Sequence, residues 1–104
     1  MFKHCVFVKF NPSVSETERQ KIYSQLEALR EQLSGWLGFV AGANITTEVG
    51  MDKGYNGGFI IDFADEAALQ AYQDNATHKQ IAAQLVAAAQ GGVEGIMVFD
   101  MHLA

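Results

Sequence analysis

The order in which apolar patterning switches between a two-residue and a near-four-residue repeat leaves few folds open to this chain. Residues 3–10 alternate, with His4, Val6, Val8 and Phe10 on one side and Lys3, Cys5, Phe7 and Lys9 on the other, as a strand requires. Asn11-Pro12 ends that strand, and Ser15-Glu-Thr-Glu18 has the spacing of a capping box, so a helix opens there. Ile22, Leu26, Leu29 and Leu33 recur at i, i+4, i+7 and i+11, the stripe of a helix buried on one side. Gly35 and Gly38 close it, and residues 39–47 form a less regular second strand in which Gly42 marks a bulge or a close backbone approach. After a turn at residues 50–54, residues 58–63 read as a third strand, and Asp65 caps a helix that runs through Tyr72. Asn75-Ala-Thr77 interrupts this helix; a second piece continues from His78 to about Gln90 and stops at Gly91-Gly92, and residues 95–103 form the last strand.

The resulting order is βαβ–βαβ with the second crossover helix in two pieces. It predicts one domain over residues 1–104: an α+β, ferredoxin-like sandwich with a four-stranded antiparallel sheet and its helices on one side. Helices can cover only one side, yet both carry apolar residues. Phe59, Ile61 and Phe63 oppose Ile60, and Ile96 and Val98 oppose Met97, Phe99 and Met101. A half-covered antiparallel sheet ordinarily turns polar residues to water, so the open side is expected to pair with a second copy, giving a homodimer with the helices outside. Hydrophobic residues make up 49% of the chain, more than one small core readily hides, which points the same way.

A net charge of −5 and the lack of any basic run argue against a nucleic acid partner. No stretch is long and apolar enough for a membrane span, and the first residues read as a strand instead of a signal peptide. With the lone Cys5, unable to form an intrachain disulfide, this leads to the expectation of a soluble cytoplasmic protein.

Chemistry is expected at the helix break. Thr77 is a suitable N-cap, which places His78 in the first turn of the new helix, where the positive end of the helix dipole favours a neutral imidazole. The kink then aims His78 and the Tyr72 phenol into a shared hollow, where the imidazole acts as a base and the phenol as a hydrogen-bond donor. His4, Val6, Val8 and Ile81 are expected to line that hollow. No zinc spacing exists among His4, His78 and His102, and Glu48 and Asp52 form no ordered cation motif, so neither metal nor cofactor is expected.

The opening Lys3-His4-x-Val6-x-x-Lys9-Phe10, Gly42-x-Asn44, Gly54-Tyr55, the Phe63…Tyr72…His78 spacing and the closing Val98-Phe99-Asp100 resemble the stress-responsive dimeric α/β-barrel family, Dabb. The resemblance spans essentially the whole chain and implies the same fold and a dimer. The family includes a plant polyketide cyclase that closes a ring by aldol condensation, and plant stress proteins. It thereby implies catalytic roles for Tyr72 and His78 and a pocket role for His4. A third-strand histidine of many members falls on Gly57, where this chain departs from the pattern. Three functions stay open on these grounds: a cofactor-independent cyclase, lyase or isomerase; a non-catalytic ligand carrier; and a stress-linked oligomer.

Overall fold

A computed structural model describes residues 1–104 and has the expected architecture. The elements are β1 (Phe2–Val8), α1 (Glu16–Ala28) followed by a 3₁₀ turn (Leu29–Glu31), β2 (Trp36–Ala43), β3 (Gly57–Phe63), α2 (Glu66–Asp74), α3 (Ala76–Ala88), a second 3₁₀ turn (Gly92–Gly95) and β4 (Ile96–His102). The sheet has the order β2-β3-β1-β4 with every pairing antiparallel, so the chain's two ends lie in adjacent strands.

Directly opposed residues share a side of the sheet. His4 is opposed by Ile61 and Asp100, and Val6 by Phe59 and Val98, which sets the side that faces the helices. Val8, Phe10, Ile61, Phe63, Leu26, Leu29 and Tyr72 form the most deeply buried part of one core. The capping-box expectation holds: Ser15 Oγ accepts from the Glu18 backbone N–H at 3.1 Å, and Ile22, Leu26 and Leu29 are the buried stripe.

Three local expectations are corrected. α1 ends at Ala28, well before Gly35, and residues 29–31 tighten into a 3₁₀ turn. The second strand occupies Trp36–Ala43 instead of residues 39–47, so Gly38 lies inside it. The bulge sits between Trp36 and Gly38, while a Cβ at Gly42 would meet nothing within 4 Å. Neither shift was visible in hydrophobic alternation, because a bulge adds a residue that breaks the two-residue count.

No helix is long and apolar enough to cross a membrane.

Candidate functional site

The break between α2 and α3 is a single residue. Asn75 ends one helix and caps the next, with extended backbone (φ −64°, ψ 128°). Its Oδ1 accepts from the His78 backbone N–H at 2.9 Å, and its Nδ2 donates to Gln32 Oε1 at 3.2 Å. Asn75, and not Thr77, is therefore the N-cap. An amide serves both purposes because its oxygen caps the helix while its nitrogen ties the break to the turn after α1. His78 stands three residues past the cap, still in the first turn.

The break brings the two expected residues together: the Tyr72 and His78 rings lie 4.0 Å apart between centroids. The His4 ring meets Tyr72 edge-on at 5.4 Å. Val6, Val8 and Ile81 are buried in the same core. Tyr72 retains 1% of its surface, so neighbouring side chains occupy the space around it, where a hollow was expected. His78 is half-buried, with Nδ1 shielded from solvent and without a hydrogen-bond partner.

Electrostatics follow from that burial. Desolvation lowers the His78 pKa below the ordinary histidine value, and the nearby His4 and Lys79 push the same way. Only the Gln73 backbone, close to the ring but outside hydrogen-bonding geometry with Nδ1, favours charge. Loss of water is thus the largest influence disfavouring charge on this imidazole. Burial also raises the Tyr72 pKa far above the usual phenol range, which keeps the hydroxyl protonated as a donor.

Two members of this cluster were not read from the sequence as site residues. Asp100 Oδ1 lies 2.6 Å from His4 Nδ1. An ionised carboxylate only accepts, so Nδ1 carries the proton, and in the neutral ring Nε2 is left as the acceptor. The signal was present as the one acidic residue in a largely apolar closing strand, but it needed the β1–β4 register to find its partner. Trp36 packs against Phe63 at 5.6 Å and Tyr72 at 6.1 Å. The bulge places it on the helix-facing side of β2, opposite Phe63.

At Gly57, where the resemblance expects a histidine, an added Cβ would lie 2.9 Å from Phe10 Cε2 and 3.0 Å from the Tyr23 hydroxyl. Those two side chains fill the place of the missing imidazole. No three His, Cys, Asp or Glu side chains converge anywhere in the molecule.

A hollow of about 750 Å³ lies on the opposite side of the sheet. It is lined by Phe7, Val40, Ile60 and Met97 and by the loop residues Ile45 and Met51. Another, of about 360 Å³, lies between α1 and α3 around Ile22 and Ala88. Neither touches His4, Tyr72 or His78.

Comparison with known proteins agrees with this architecture. A dimeric ferredoxin-like protein of unknown function from Jannaschia sp. CCS1 superimposes with a TM-score of 0.89 at 29% identity, covering 98% of each chain. An Arabidopsis thaliana protein gives 0.86 at 18% identity, over 100% of this chain and 96% of its own. The hydroxynitrile lyase of Passiflora edulis gives 0.81 at 15% identity, over 99% and 93%. No functionally curated protein matches the chain significantly by sequence. The model of the stress responsive A/B barrel domain matches residues 2–103, and with the ferredoxin-like fold built above, the chain belongs to that family.

Proposed function

We propose that the cluster at the helix break is a small-molecule site that moves a proton next to a carbonyl group. The observation that carries this reading is the His78 ring, its Nδ1 buried without a partner and its centroid 4.0 Å from that of the Tyr72 phenol, in surroundings that disfavour charge on both. A histidine whose charge is disfavoured is a base available near neutral pH, and a protonated phenol is a donor for a developing oxyanion. In the step, the unprotonated His78 nitrogen takes a proton from the carbon next to the carbonyl. The C–H electron pair forms a C=C bond and the carbonyl π pair moves onto oxygen, giving an enolate whose oxygen accepts a hydrogen bond from Tyr72. The His4–Asp100 pair holds a second imidazole in one orientation beside the same phenol. A ligand enters by displacing part of the packing around half-exposed His78, since the cluster is closed in the single unliganded chain.

The Passiflora relative is a hydroxynitrile lyase on the same fold, which is compatible with proton chemistry without naming a substrate for this chain. The Gly57 departure argues against carrying over the polyketide cyclase reaction unchanged.

The test is deuterium exchange into the methyl group of acetophenone in D₂O, followed by proton NMR. His78→Ala is expected to lower the protein-catalysed rate by about 10²-fold or more, the usual contribution of a general base, and Tyr72→Phe by less. Wild-type exchange no faster than in an equal concentration of free imidazole overturns the proton-transfer reading.

The partner that best fits the open side of the sheet is a second copy of the chain. Val40 (63% exposed), Phe99 (51%) and the edges of Met97 and Met101 form an apolar surface that no helix covers. The Jannaschia relative is itself dimeric.

A further inference from the structure

We propose that Trp36 is a ligand-anchoring residue of this site, its indole N–H donating to an oxygen on a flat aromatic or conjugated carbonyl compound. The inference rests on the reading of the cluster as a small-molecule site and adds a chemical class to it.

Four buried side-chain atoms lack a hydrogen-bond partner: Arg19 Nε, Gln25 Oε1, Trp36 Nε1 and His78 Nδ1. Arg19 belongs to a guanidinium with other donors, laid over the Phe10 ring at 4.7 Å, and Gln25 lies on α1. The remaining two are on rings that both pack against Tyr72, at 6.1 Å and 4.0 Å. A buried donor left unpaired is costly, and native structures keep few of them. Phenylalanine would meet the packing requirement at position 36, whose neighbours Phe39, Phe63 and Tyr72 are all aromatic. The indole N–H therefore adds nothing to the core.

The backbone takes unusual measures to put the indole there. Residues 36 and 39 are an odd number apart and would lie on opposite sides of a regular strand. The bulge at Leu37, itself 58% exposed, brings Trp36 opposite Phe63 and Phe39 opposite Ile61, both toward the helices. Gly35 takes a left-handed φ of +75°, and a Cβ there would stand 2.7 Å from that of Ala68. This close approach sets the start of β2 directly against α2, the helix that carries Tyr72. Bulges recur where a side chain must be re-aimed beside a site.

The chemistry of the orphan atom limits the ligand. An indole N–H donates only, so the ligand atom is an acceptor. The walls formed by Trp36, Phe63, Tyr72 and the two imidazoles favour a flat ring attached to it.

Trp36 is the only tryptophan, so an ¹⁵N-labelled sample gives one indole N–H signal. The protein is titrated with acetophenone and, separately, with ethylbenzene, which has the ring without the carbonyl. The indole signal is expected to move downfield with acetophenone alone. Trp36→Phe is expected to weaken acetophenone binding about tenfold, to leave ethylbenzene binding unchanged, and to keep or raise the unfolding midpoint without ligand. An indole signal that responds equally to both compounds, or an unliganded Trp36→Phe that unfolds at lower temperature with unchanged acetophenone affinity, overturns the assignment and leaves Trp36 a packing residue. The His78 ring signals, read in the same titration, separate the two failures. If they move and the indole does not, only the role of Trp36 is lost; if neither moves, the site itself is lost.

Discussion

The helix-facing side of the sheet holds His4, Asp100, Trp36 and, packed onto them, Tyr72 and His78, with Tyr72 almost wholly enclosed. The open side holds a hollow of about 750 Å³ whose sheet wall is Phe7, Val40, Ile60 and Met97, with no titratable side chain among those four. The enclosed aromatic and imidazole cluster lies on one side, and the wide hollow, rimmed by the loop residues Asp52, Lys53 and Tyr55, on the other. The contrast teaches that concavity alone is a poor guide in this fold: the widest of the hollows described lies on the uncovered side, while the Tyr72–His78 cluster is closed beneath the helices.

Substitutions separate the two sides, beginning with the largest effect. Phe63→Ala on the covered side is expected to cost about 3–5 kcal/mol in urea unfolding, because Phe63 has no exposed surface and its loss leaves a cavity under Tyr72. A cost near that of a surface change would mean the covered side is looser than drawn here. Phe99→Asp on the open side is expected to leave a folded chain but to halve the mass found by light scattering, since it sets a carboxylate into the apolar paired surface. An unchanged mass would place the dimer contact elsewhere. Asn75→Ala is expected to cost about 1 kcal/mol, the usual worth of an N-cap, and to reduce any activity by more than that loss of stability explains.

The smallest effect concerns pH. His78 has a folded pKa below its unfolded value near 6.5, so the unfolded chain binds more protons between the two. Stability should thus be fully present above that value and fall as pH drops from 6.5 through the lower folded pKa. In His78→Gln this part of the slope should vanish, which denaturant midpoints measured at several pH values will show.

How much of this was legible in the sequence depended on whether a feature is local. Strand β1 was readable because residues 2 apart share a side, which correctly placed His4 with Val6 and Val8. The helix break was readable because Asn75-Ala-Thr77 offers cap residues within an otherwise continuous helical pattern. Its cap was misplaced because Asn and Thr both serve, and only the contact with Gln32, 43 residues away, selects Asn75. The His4–Asp100 pair, 96 residues apart, needed strand register, which neither segment encodes alone. The packed space around Tyr72 was beyond reach, since side-chain volume summed along a chain does not reveal where a gap falls.

The extra residue at Leu37 has a further consequence. Deleting it would leave the tryptophan opposite Phe63, but straightening the bulge so that Leu37 entered the ladder, with the pairing of residues 38–43 held in place, would turn the tryptophan to the other surface of the sheet. The same amino acids would then put their largest ring on the open side. Which side of the sheet that ring serves is decided here by whether one residue is counted into the ladder, and not by any property of the ring.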